Sequence, residues 1–146
     1  MRNLENGIRL EGVAKLLIAI AAVLHLVFNY IHTNALLLLE NEICGFLMFL
    51  FILFGLVALF EVTQIKGGAA LPKLITALVC AVTDFFGWEL VSIYQDRIQN
   101  QSSLASAEAA APVRTAMNMS FGLMAAFGVA AVLLVADVLL HHRRKP

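Results

Sequence analysis

The chain has 146 residues, 61% of them hydrophobic and 14% charged, with a formal net charge of zero and a mean hydropathy of +0.87. Soluble domains average about 45–50% apolar and about 25% charged residues, so the excess points to a chain solvated by lipid. The zero net charge says nothing about partners, the lack of a basic tract with interleaved aromatics argues against nucleic acid, and two cysteines, Cys44 and Cys80, form neither a CxxC pattern nor a disulfide framework.

A membrane-crossing helix needs roughly 20 mostly apolar residues. The first segment of that kind runs over residues 13–33 and contains AVLHLVFNYIHTN. His25, Asn29 and His32 recur there at steps of four and three, so on one helix they share a face. Such a stripe either lines a site or bonds one helix to another. Basic residues precede this run, but no A-x-A-like cleavage site follows at the expected place, so it reads as an uncleaved span.

Next comes LLLLENEICGF. If the second helix begins near Ala35, Glu40 and Glu42 form an acidic outer vestibule for cations. If it begins near Glu42, both are first-turn acids favoured by the helix dipole. The second span covers residues 43–62 and is free of charge as far as Phe60. The connection EVTQIKGGAALP carries the helix breakers Gly67 and Gly68, and Pro72 suits a first helical turn. The third span, residues 71–94, encloses Asp84 and Glu89. QDRIQNQSSLASAEAAAPVR, residues 95–114, is expected to be a flexible loop, or through its alanines a short surface helix. The fourth span, residues 115–139, carries Gly122, Ala126 and Ala130, a small-residue ridge that lets helix backbones approach. Glu61 and Asp137 lie near inner ends, where snorkelling or pairing with the basic tail is expected.

Four spans put the N-terminus, the second connection and the C-terminus on one side. That side holds Arg2, Arg9, Lys15, Lys66, Lys73, Arg143, Arg144 and Lys145; the other holds Arg97 and Arg114. By the positive-inside rule both termini are cytoplasmic. The expected fold is therefore an all-α polytopic membrane protein: one domain over residues 1–146, a four-transmembrane-helix bundle, with the cell (inner) membrane as its location.

Depth adds a pairing. With Lys15 and Lys73 at the inner interface, His25 lies about 15 Å and Asp84 about 16 Å into a hydrocarbon core about 30 Å thick. Helices pairing these two segments would set His25 level with Asp84, and Asn29 near Glu89. An isolated carboxylate at mid-depth costs about 2.5–3.5 kcal/mol on insertion scales, so Asp84 requires a partner, a proton or water. A histidine donates a hydrogen bond in either protonation state.

The expected function is movement of protons or small cations through a mid-membrane polar site. Asp84, His25, Glu89 and Asn29 are its candidate residues, and an oligomer would build the route. A second reading makes the chain a non-catalytic accessory or scaffold subunit of a larger membrane complex. A third, resting only on size and the charged tail, is a holin-like pore former. No metal or cofactor is expected: His25 and His32 are about 10 Å apart along a helix axis, and the chain lacks Gly-rich phosphate loops, nucleophile elbows and HExxH. An enzyme is therefore not favoured. The expected partners are the lipid bilayer and either further copies of this chain or other membrane subunits.

Overall fold

The computed structural model describes residues 2–27, 29–39, 42–65 and 70–144. Helices α1 (Arg2–Val27), α2 (Asn29–Leu39), α3 (Glu42–Thr63), α4 (Ala70–Asn100) and α5 (Ala107–Arg144) follow in order, with a 3-10 turn at Ser102–Leu104 between the last two. Among the described residues four helices are long and apolar enough to cross a membrane, through Leu10–Val27, Ile43–Thr63, Ala70–Asn100 and Ala107–Leu140. The fold is the four-span all-α bundle.

Two boundaries differ from the sequence reading. The first crossing ends at Val27, and Asn29 opens a separate helix, so the stripe of His25, Asn29 and His32 is divided between α1 and α2. Residues 95–114 are helical over most of their length rather than a flexible loop. Local chemistry explains the second difference. The Ser106 hydroxyl accepts a hydrogen bond from the Ala109 amide at 3.0 Å, capping α5 with a polar side chain. Pro112 lies in the second turn of α5, where the carbonyl that loses its amide partner belongs to the exposed Glu108.

The four crossing helices form a ring. Both α1 and α4 pack on α3 and α5, so α1 stands diagonally opposite α4. Lys73 against Asp137, Asp84 against Gly128 and Gly87 against Met124 set α4 and α5 antiparallel in constant register. At the far end the Gln101 side-chain amide donates to the Leu38 carbonyl at 2.8 Å, tying α2 to the α4–α5 connection.

Burial follows steps of three and four on every crossing helix. The inward positions are Ala14, Ile18, Ala21 and His25 on α1, and Cys44, Met48, Phe51, Gly55, Ala58 and Val62 on α3. On α4 they are Lys73, Thr76, Cys80, Thr83, Gly87, Leu90 and Tyr94, and on α5 Val113, Ala116, Ser120, Leu123, Phe127, Ala130, Leu134 and Asp137. This is the heptad spacing of left-handed helix packing. The seam is small and polar at many positions, whereas Leu16, Ile20, Phe46, Phe49, Phe60, Leu78, Phe85 and Val132 point outward. Lipid supplies no hydrophobic drive for one helix to bury such residues against another, so close-packing small residues and polar groups take the interior.

Candidate functional site

Asp84 and His25 share one layer of the bundle. His25 is 1% exposed, and its ring meets Phe51 of α3 edge-on with centroids 4.3 Å apart. A β-carbon placed on Gly55, one turn beyond Phe51, would lie 3.9 Å from His25 Nδ1 and 3.1 Å from the Phe127 ring of α5. Asp84, half-buried on α4, sets Oδ2 2.9 Å from the point where a Gly128 β-carbon would stand, and Gly128 is the neighbour of Phe127. The expected common depth is thus met, but not through adjacent helices. His25 and Asp84 come from opposite corners of the ring, and the buried rings of Phe51 and Phe127 come from the other two.

Asp84 makes no ion pair among the described residues, and its buried Oδ1 has no hydrogen-bond partner there. Thr76 and Thr83 offer it little, because their hydroxyls donate to the Pro72 and Val79 carbonyls of their own helix, each at 2.8 Å. A polar line nevertheless runs along the α4 seam through Thr76, Cys80, Thr83 and Asp84. Ser120 and Tyr94 are also fully buried, and their oxygens have no hydrogen-bond partner among the described residues.

The companion pairing is not formed. Asn29 and Glu89 are both exposed, as is Trp88 beside Glu89 on α4. Glu40 lies outside the described residues, as do the side chains of Glu42 and His32. The small-residue ridge divides. Ala130 is fully buried and Ala126 half-buried, but a β-carbon on Gly122 meets nothing within 4 Å. Gly122 and Ala126 instead line an apolar groove of about 310 Å3 between α1 and α5, with Leu17, Ala21 and Leu24 across from them. The close helix contacts are made at Gly55, Gly87 and Gly128. A β-carbon at Gly87 would stand 2.8 Å from Met124 and 3.0 Å from Phe51.

A second polar centre lies at the end of the bundle where α1 and α4 begin and α5 ends. The Lys73 ammonium donates to Asp137 Oδ2 at 2.5 Å and stands 3.6 Å from Glu11 Oε1. Glu11 is backed by Lys15, 3.7 Å away on its own helix. Lys73 and Asp137 are 3% and 1% exposed, so Asp137 is buried against Lys73 rather than snorkelling, while the side chains of the basic tail lie outside the described residues. The signal for this pair was present in the chain: Lys73 stands in step with Thr76, Cys80, Thr83 and Gly87 along one heptad seam, a register that a marker of the membrane interface does not require.

Cys44 and Cys80 are buried free thiols. Among the described residues no group of three or more His, Cys, Asp or Glu side chains converges to hold a metal ion. No protein-family model, no curated protein and no solved structure matches the chain.

Proposed function

We propose that this protein moves protons or small monovalent cations across a cell membrane, with Asp84 as the group that takes up and releases the charge. The single observation behind this reading is the contrast between two carboxylates in one bundle. Asp137 is neutralised by Lys73 at 2.5 Å and so has a fixed counter-charge. Asp84, in the middle of α4, has no such partner among the described residues and leaves Oδ1 unbonded. An intramembrane carboxyl without a fixed counter-charge costs several kcal/mol when ionised. A mobile proton or cation removes that cost, and exchange of that ion is the transported event.

In this reading His25 is the polar group on the other side of the central layer. Phe51 and Phe127 close the space between His25 and Asp84, so passage requires those rings to move. A ring of four helices leaves little width for a private path, and copies of the chain would complete the route. The charge asymmetry puts both termini in the cytoplasm. The accessory-subunit reading draws on a different observation. The open groove at Gly122 and Ala126 has the small-residue floor that admits a neighbouring helix.

The test is Asp84→Asn in reconstituted vesicles. Asparagine keeps the size and hydrogen-bonding capacity of the side chain and removes its charge. The variant is expected to express and assemble as wild type and to lose proton- or cation-dependent flux. Wild-type flux in Asp84→Asn would end the proposed role of this residue. Absence of flux of protons, sodium and potassium in the wild type itself would favour the accessory subunit.

A further inference from the structure

The ion cluster at the Lys73 end combines charges in an informative order. Lys15, Glu11, Lys73 and Asp137 alternate in sign and become progressively more buried, with side-chain exposures of 36%, 20%, 3% and 1%. Two carboxylates from two different helices, Glu11 on α1 and Asp137 on α5, converge on one cationic centre. That centre is the ammonium that α4 inserts between them. The carboxylates are not saturated by it. The buried Oδ1 of Asp137 has no hydrogen-bond partner among the described residues, and the buried Glu11 Oε1 has none closer than the 3.6 Å ion pair.

We propose that Glu11 and Asp137 form a second monovalent-cation site, occupied in this conformation by the Lys73 ammonium acting as a tethered plug. The second half of this inference, that the plug is displaced during turnover, rests on the transport reading given above. The first half does not.

Charge counting supports the site. Without the Lys73 ammonium, Glu11 and Asp137 face only Lys15 among the described side chains, which leaves one unbalanced negative charge in a buried position. Burying such a charge is costly, and a small cation that the carboxylates coordinate relieves it. The occupant is monovalent and compact, because one elementary charge restores neutrality and the space is that of an ammonium group. Lys73 also begins the polar line that leads along α4 through Thr76, Cys80 and Thr83 to Asp84. The distance from Lys73 to Asp84 along the helix is about 16 Å. The plug therefore stands where an ion would pass between Asp84 and this end of the bundle.

The experiment is a cation titration of purified Lys73→Ala. Thermal unfolding in mild detergent is followed against sodium, potassium and methylammonium chloride, with ionic strength held constant by N-methylglucamine chloride, whose cation is too bulky for the site. Lys73→Ala is expected to be stabilised saturably, its Tm rising by about 3 °C at ten times the half-saturating concentration. Wild type and Lys73→Ala with Asp137→Asn are expected not to respond. If Lys73→Ala does not fold, Lys73→Gln keeps a donor to Asp137 while removing the charge, and the same titration is read on it. A response no larger than that of wild type, or one that survives Asp137→Asn, overturns the site. In vesicles, removal of the plug is expected to raise cation flux several-fold. Flux at or below wild type with cation stabilisation intact overturns the plug. Absence of proton, sodium and potassium flux in the wild type defeats the transport reading and leaves the titration of Lys73→Ala standing, so the two failures are distinguishable.

Discussion

Three glycines show how differently one residue type is used within a bundle. Gly87 sits where α3, α4 and α5 meet, and an added β-carbon would fall 2.8 Å from Met124 and 3.0 Å from Phe51. Gly87→Ala is expected to destabilise by about 1–3 kcal/mol, the usual range for overpacking, read as a lower Tm in detergent. Gly128→Ala meets only the mobile end of the Asp84 side chain, at 2.9 Å. Its effect should be small on Tm and larger on flux, because the carboxylate must turn away from α5. Gly122→Ala adds a methyl to open space and is expected to leave both unchanged. A Tm loss at Gly122 comparable to that at Gly87 would show that the groove is filled by another helix.

Among elements, the α4–α5 pair carries the most specific packing and the least visible signal. Its seam includes a buried ion pair, and removing one partner of such a pair costs about 3–5 kcal/mol, whereas replacing both with apolar residues is near neutral. Lys73→Met should therefore lower stability sharply in N-methylglucamine buffer, and Lys73→Met with Asp137→Leu should regain most of the loss. Equal Tm values for the single and double variants would deny the pair its place in packing α4 on α5. The beginning of α5 makes a second prediction. Ala111, Arg114 and Thr115 are exposed, while Ala110, Val113 and Ala116 are buried. Single cysteines there should be labelled with helical periodicity, fast at positions 111 and 115 and slow at 113 and 116; uniform labelling would restore the flexible loop expected from the Ser- and Ala-rich composition.

At the scale of the molecule, an even number of crossings requires both chain ends on one side. The charge asymmetry predicts that this side is the cytoplasm. Tags at both termini should report the cytoplasm, and a cysteine at Ser103, exposed between α4 and α5, should be labelled from outside. Tags on opposite sides would reduce the number of crossings. A ring with α1 opposite α4 also changes how the central polar groups relate. Depth alone set His25 level with Asp84, and the contacts agree. Depth carries no azimuth, however, and the ring order puts two phenylalanines between their corners.

Hydropathy by itself marked four segments long and apolar enough to cross a membrane, because about 20 apolar residues in a helix are needed wherever lipid is the solvent. It also singled out Asp84 as a carboxyl inside an apolar segment, since a charge in an apolar run is conspicuous without any knowledge of neighbours. The tertiary structure alone decided which helices touch, that Glu11, Lys73 and Asp137 meet, and that Gly55, Gly87 and Gly128 rather than Gly122 make the close contacts. The physical reason is the solvent. In water the buried face is the apolar one, and its period can be read along the chain. In lipid both faces are apolar, so the inward seam is distinguished only by small size and scattered polarity, and its partners are chosen by packing between helices far apart in sequence.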